Sequence, residues 1–342
     1  MGAEPKEKGA PSPAHIFDML LAFQRTAALH AAIELDLFRW IGEGIRDTKS
    51  LAERCSASER GIRILCDYLT ISEVLVKEGN EYRHSPLSAA FLDPQSPTSV
   101  ASISRFLGDP MLSRPFEHLA DIVRNGRTSL PGDGSVEAEN PVWVEFAHSM
   151  APMMAPMAAP LGAIVLEGLS GDLRVLDIAA GHGLFGIAVA KQAPRARVVA
   201  QDWAHVLEVA KANARKAGVS DRYETLPGSA FDVNYGGPYD IVLLTNFLHH
   251  FDTPTCVGLL KKVHAALKPG GKVAALEFVP NEDKVSPPMA AGFALTMLAT
   301  TPAGDAYTFR EYEAMYMQAG FRDVAAQPVP MGPHTVVIGR TI

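Results

Sequence analysis

Apolar residues recur along the first part of the chain at helical spacing. Ile16, Met19, Leu20, Phe23 and Ala27 fall three and four residues apart, on one face of an amphipathic helix. The stretch AALHAAIELDLFRWI, with Ile33, Leu37 and Trp40 apolar, reads as a second helical segment. Thr48-Lys49-Ser50-Leu51-Ala52 opens a third, which Thr48 or Asp47 can cap. Ser58 can cap a fourth, whose apolar side carries Ile62, Leu65, Leu69 and Ile71. VLVKEGNEYRHS then reads as two short strands around Gly79-Asn80, a hairpin turn signal. Residues 106–165 read as a helical connector with turn signals at Asp109-Pro110 and Pro131-Gly132. Its last helix, 143–164, interleaves Met150, Met153, Met154 and Met157 with Pro152, Pro156 and Pro160. From Arg174 the pattern becomes strand and helix in turn: RVLDIA, RVVAQD, DIVLLTN and KVAALEFV are strands with helices between, and further apolar runs lie near 321–324 and 335–338. That alternation predicts an α/β domain with a mostly parallel, doubly wound sheet.

The divisions expected are a disordered polar tail at 1–13, a mainly helical domain at 14–105, the connector at 106–165, and the α/β domain at 166–342. Three helices followed by a hairpin is the order of a winged-helix unit, which raises DNA binding. Residues 41–85, however, carry 7 Lys/Arg against 8 Asp/Glu, and the whole chain carries 31 against 38, a net −7. A DNA reader neutralises phosphates with net positive charge. An oligomerisation or lid role fits better, with no nucleic-acid partner. Ile16 to Phe23 is interrupted by Asp18 and has no cleavage site after it, and no run approaches the ~20 apolar residues of a membrane span, so neither a signal peptide nor a membrane is expected. Cys55, Cys66 and Cys256 are odd in number and in no metal-ligand spacing, which suits a reducing cytoplasm and no metal.

VLDIAAGHGLFG carries the most chemistry. An apolar strand runs into Asp177, then Ala179, Ala180, Gly181, Gly183 and Gly186, then a helix. Glycines let the backbone turn sharply and approach a ligand, and the helix start offers free N–H groups. G-x-G-x-x-G at 181, 183 and 186 also fits a dinucleotide loop. Asp177 opposes that, because a carboxylate would repel phosphates, whereas it could order the turn and face an aminoacyl ammonium. Asp202 ends the next strand nineteen residues after Gly183, where a carboxylate can accept from ribose hydroxyls. Trp203 could pack on adenine. FLHHFDTPT places His249 and His250 just past the carboxyl end of a strand, the ligand edge of an open parallel sheet. A phenol with pKa near 10 is mostly neutral at pH 7, and an imidazole is suited to take its proton. Glu277, ending KVAALEFV, could orient that imidazole.

Over nearly its whole length the chain resembles the family of plant caffeic acid O-methyltransferases, hydroxyindole O-methyltransferase and bacterial antibiotic O-methyltransferases. VLDIAAGHG, VVAQDWAHV, LPGSAFD, FLHHFD, KPGGKVAALEF and TMLATTPAGDAYTFREYEAMYMQAGF occur in that family's order. The resemblance implies a Rossmann-like S-adenosylmethionine-binding domain at 166–342, a winged-helix dimerisation domain at 14–105, and a homodimer that swaps N-terminal helices. It implies methylation of a small, aromatic or polyketide-like hydroxyl acceptor. Ala179, Gly181 and Gly183 match the family's glycine loop, Asp202 its ribose acid, and Ser229-Ala230-Phe231 its adenine-lining segment. Thr245, with Asn246 beside it, falls near the cofactor. His249 matches the catalytic histidine and Glu277 one of two acidic supports. Phe146, Met150 and Met297 match the acceptor pocket, and Met153, Met154, Met289, Phe293 and His250 extend it.

Three positions depart from the pattern. Ser229 stands where an Asp usually bonds adenine, His250 where an Asp follows the catalytic histidine, and Ala306 where the plant enzymes place their second acid, with Asp305 adjacent. The same fold also serves methyl transfer to sulfur, nitrogen or carbon. A ligand-sensing winged-helix regulator is the alternative from another class, against which His249, Gly181 and Gly183 weigh.

Overall fold

The computed structural model describes residues 12–330 and 332–342; most of the tail expected at 1–13 lies outside them. The chain divides into two compact units at Ser104/Arg105.

In the first unit the expected amphipathic segment is two helices, α1 (Ala14–Leu20) and α2 (Ala22–Glu34), followed by α3 (Leu37–Gly42), α4 (Thr48–Arg54) and α5 (Glu59–Ile71). The chain breaks between α2 and α3 at Asp36, in the left-handed region at φ 53°. Asp47, not Thr48, caps α4, accepting from the Ser50 N–H at 2.9 Å, and Ser58 caps α5 through the Gly61 N–H at 3.1 Å. Each such cap stabilises a helix by about 1 kcal/mol. Strands β1 (Leu75–Glu78) and β2 (Glu81–His84) form the hairpin, with Gly79 supplying the positive φ of the turn. The Tyr82 N–H donates to the Arg46 carbonyl at 3.0 Å, adding a third segment beside the hairpin. Leu37, Phe38, Leu51, Ile62, Cys66, Leu69 and Tyr82 fill the core. Ile71, expected on the apolar side of α5, is exposed because α5 ends there.

The second unit holds a seven-stranded sheet in the order β5-β4-β3-β6-β7-β9-β8. Strands β3 (Arg174–Ile178), β4 (Arg197–Asp202), β5 (Tyr223–Pro227), β6 (Tyr239–Thr245) and β7 (Leu267–Glu277) are parallel. Strands buried on both faces need continuous apolar runs, and β3, β6 and β7 supply them. The late runs are β8 (Arg322–Pro328) and β9 (Thr335–Arg340), and both pairings of β9 are antiparallel. Thr335 lies opposite Glu277, so β9 begins where β7 ends. Strand order reverses between β3 and β6, the place where open α/β sheets bind ligands.

The methionine-rich segment is two helices, Val142–Ser149 and Ala151–Leu166, bent by 67°, instead of one. Pro152 has no N–H to continue the first helix but suits the opening turn of the second. No single helix among the described residues is long and apolar enough to cross a membrane.

Candidate active site

Two neighbouring strand ends build the site. At the first, β3 delivers Asp177 into full burial, where one oxygen accepts the Gly186 N–H at 3.0 Å and orders the turn into helix Leu184–Gln192. Its other oxygen has no partner among the described residues, and neither does the Tyr223 hydroxyl. Ala179 and Gly181 adopt φ 52° and 54°, and Gly183 adopts 74°. A Cβ at Gly183 would run into the Tyr223 hydroxyl and Ala210, so glycine is required there for space as well as for conformation. Asp202 accepts from the Gly181 N–H at 2.8 Å and from the Trp203 N–H at 2.7 Å, tying the loop to the end of β4. Burial pushes Asp177 up to about 7, against the Gly186 hydrogen bond, and Asp202 up to about 6. The Gln201 amide donates to the Gly228 carbonyl at 2.6 Å and holds the segment that leads to Ser229. Ser229 spends its hydroxyl on the Phe231 N–H at 3.1 Å. The Ala230 carbonyl is held by Lys262 at 3.1 Å, while the Phe231 ring stands partly open. Trp203, expected on adenine, is partly buried and packs against the cluster of Ala147, Val206 and Val209.

At the second end, β6 finishes at Thr245 and the chain turns through Asn246, a non-glycine residue at φ 53°, into the short turn Leu248–His250. Such conformations persist where the surroundings enforce them. The Asn246 N–H donates to the Leu276 carbonyl at 2.8 Å, and Glu277 fixes the residues that follow. One of its oxygens accepts the Phe247 N–H at 3.0 Å and the Leu248 N–H at 2.8 Å; the other binds His249 Nδ1. Because a carboxylate only accepts, Nδ1 carries the proton and Nε2 is left for chemistry. Phe293 meets the His249 ring edge-on at 4.8 Å between centroids. Gly304 and Asp305 brace the backbone: the Asp305 N–H donates to the His249 carbonyl at 3.0 Å, and a Cβ on Gly304 would strike that carbonyl. The Asp305 carboxylate turns away to Lys284 at 3.4 Å and to the Ala306 N–H. Burial, with His249 adjacent, holds His250 neutral, well below the usual range; it packs edge-on against Trp143.

Phe146 lies over Gly181 and stacks on His182, and Met150, Met154 and Met297 are buried. Met153 is half-buried. Met289 shares a helical face with Phe293 and Met297, sits on the first turn of Pro288–Thr300, and is 67% exposed. Asn246, grouped above with the cofactor residues, spends its amide on His334 and Met154 instead. His334 was missed, since only the antiparallel placement of β9 carries it to this edge. Tyr223, Phe278 and Trp143 were missed as well, each reading in sequence as ordinary core.

Residues 116–322 match the family model of the O-methyltransferase domain, and residues 17–94 match that of the O-methyltransferase dimerisation domain. The chain belongs to the O-methyltransferase family. A solved structure from Nostoc punctiforme, provisionally assigned as an O-methyltransferase, is 49% identical and covers 97% of this chain and 100% of its own, with TM-score 0.93. The tetracenomycin polyketide synthesis 8-O-methyl transferase of Streptomyces glaucescens is 27% identical over 96% of both chains. The mitomycin biosynthesis 6-O-methyltransferase of Streptomyces lavendulae is 28% identical over 94% of this chain and 92% of its own.

Proposed function

We propose that this O-methyltransferase transfers a methyl group from S-adenosylmethionine to a hydroxyl of a small aromatic or polyketide-like acceptor, with His249 as general base. The observation that carries the reading is Glu277. Completely buried, it fixes both the His249 ring and the two N–H groups that precede it. When bound, S-adenosylmethionine supplies an electrophilic methyl group. The loop at 179–183, Asp202, Ser229-Ala230-Phe231 and Thr245 are the groups suited to hold it: the glycine backbone is stripped of side chains, and Asp177 and Tyr223 present polar atoms with no partner. His249 Nε2 accepts the hydroxyl proton, and Glu277 stabilises the imidazolium that forms. Phe146, Met150, Met153, Met154, Phe293 and Met297 offer a soft apolar wall to a flat ring.

The working protein is a homodimer inside the cell. Ile16, Phe17, Met19, Leu20 and Phe23 of α1 and α2 are 56–66% exposed, an apolar face that a second copy can cover. The acidic balance supports no nucleic-acid partner. The test is transfer of labelled methyl from S-adenosylmethionine to matched panels of hydroxy-, thio- and aminonaphthalenes, with S-adenosylhomocysteine binding measured by calorimetry. Hydroxyl acceptors should be methylated fastest. Faster labelling of thiols or amines would overturn the hydroxyl specificity, and no binding of S-adenosylhomocysteine would overturn the methyltransferase reading itself.

A further inference from the structure

His334 is a histidine at this edge for which the chemistry above has no use. It lies at the end of the turn between β8 and β9 and is 1% exposed. Its Nε2 is 2.9 Å from the Asn246 side-chain oxygen. An amide oxygen only accepts, so Nε2 carries the proton, and burial keeps the ring neutral, with its pKa pushed down to about 3. On its face the ring packs at 4.1 Å on Phe278. Phe278 stacks at 4.1 Å on Phe293, which meets His249.

Two routes therefore join His334 to the base. One is polar and runs through Asn246, three residues before His249. The Asn246 backbone is held in the left-handed region by its N–H bond to the Leu276 carbonyl at 2.8 Å. Its amide nitrogen reaches the Met154 sulfur at 3.8 Å, so the same residue also touches the methionine wall. The other route is the aromatic stack. The turn bearing His334 is fixed in its own right: the Val329 N–H donates to the His334 carbonyl at 3.0 Å, and a Cβ on Gly332 would strike the Met157 sulfur.

We infer that His334 is a positioning residue for His249, holding the catalytic turn in one conformation through Asn246 and the Phe278–Phe293 stack. The inference rests on the reading of His249 as base. Side-chain geometry suggests the decisive substitutions. His334→Gln keeps an N–H donor near the Nε2 position and so keeps the Asn246 bond; His334→Asn loses it; His334→Leu loses all polarity.

The test uses the full-length protein with S-adenosylhomocysteine and reads the His249 ring in long-range proton–nitrogen correlation spectra, assigned by loss of its signals in His249→Ala. Wild type and His334→Gln should each show one set of His249 signals, protonated on Nδ1. His334→Leu and His334→Asn should show a second set populated to about one tenth or more, a state about 1.3 kcal/mol above the first. A merely structural role would lower the melting temperature in all three variants and leave the His249 signals single. A single unchanged set in Leu and Asn, or a second set in Gln, overturns the inference. If His334→Leu does not fold, the Asn and Gln pair decides the matter alone. Failure of wild type to bind S-adenosylhomocysteine would count against the methyltransferase reading, while the ring spectra would still judge the positioning role.

Discussion

Glu277 and Asp177 are carboxylates at the ends of two strands of one sheet, β7 and β3, with β6 between them; both are fully buried, and they are in opposite conditions. Glu277 has both oxygens engaged, on two backbone N–H groups and on His249. Asp177 has one oxygen on Gly186, and its other oxygen, like the Tyr223 hydroxyl, has no partner among the described residues. A buried polar atom without a partner costs about 1–3 kcal/mol. The carboxylate at the histidine end is thus finished by the protein's own donors, whereas the one at the glycine loop keeps an oxygen with no partner among the described residues.

The hardest blow to the finished end is His249→Ala, expected to lower kcat by about 10²–10⁴ with S-adenosylhomocysteine affinity kept within about twofold. A loss under tenfold would mean that the finished end is not where the proton goes. Next, Glu277→Ala strands two N–H groups and the imidazole together, and should cost about 3–5 kcal/mol in denaturant unfolding. Asp177→Asn is its counterpart. Because the folded carboxyl is pushed up to about 7, Asp177 contributes stability at low pH that is lost as pH rises through that value. The amide variant should therefore gain on wild type from pH 5 to pH 8, and an advantage that shrinks over that range would contradict the contrast.

Gly183→Ala, at φ 74° and against Tyr223, should weaken S-adenosylhomocysteine by about tenfold or more in calorimetry while leaving the His249–Glu277 pair intact. The smallest effect comes from Asp202, pushed up to about 6 by burial. A ligand donating to this carboxylate prefers it ionised, so affinity should rise about tenfold from pH 5 to pH 7, with proton release, and then level off. Constant affinity across that range would mean that Asp202 does not receive the ligand.

Both ends were largely legible in the sequence and several supporting residues were not, for physical reasons. Continuous apolar runs ending in Asp177, Thr245 and Glu277 mark strands buried on both faces, so the residues just past them had to lie on one edge. What His249 and Glu277 do to each other follows from that adjacency. The break at Met150 was hidden because methionines carry the helical period across it, and Pro152 is compatible with either a kink or a new start. His334 could not be found at all, because its place depends on which neighbour β9 chooses and in which direction it runs.

The reversal of β9 also bears on how such an enzyme diversifies. The parallel strands β3 to β7 carry both the glycine loop and the catalytic turn. The β8–β9 hairpin is attached along one side of that block by a single neighbour, β7, yet its turn arrives at the reaction edge beside Asn246 and the methionines. Connecting turns tolerate more change of length and composition than the elements they join. Because His334 sits in this turn, variation or deliberate grafting there reaches the methionines and the His249 turn together, through Asn246.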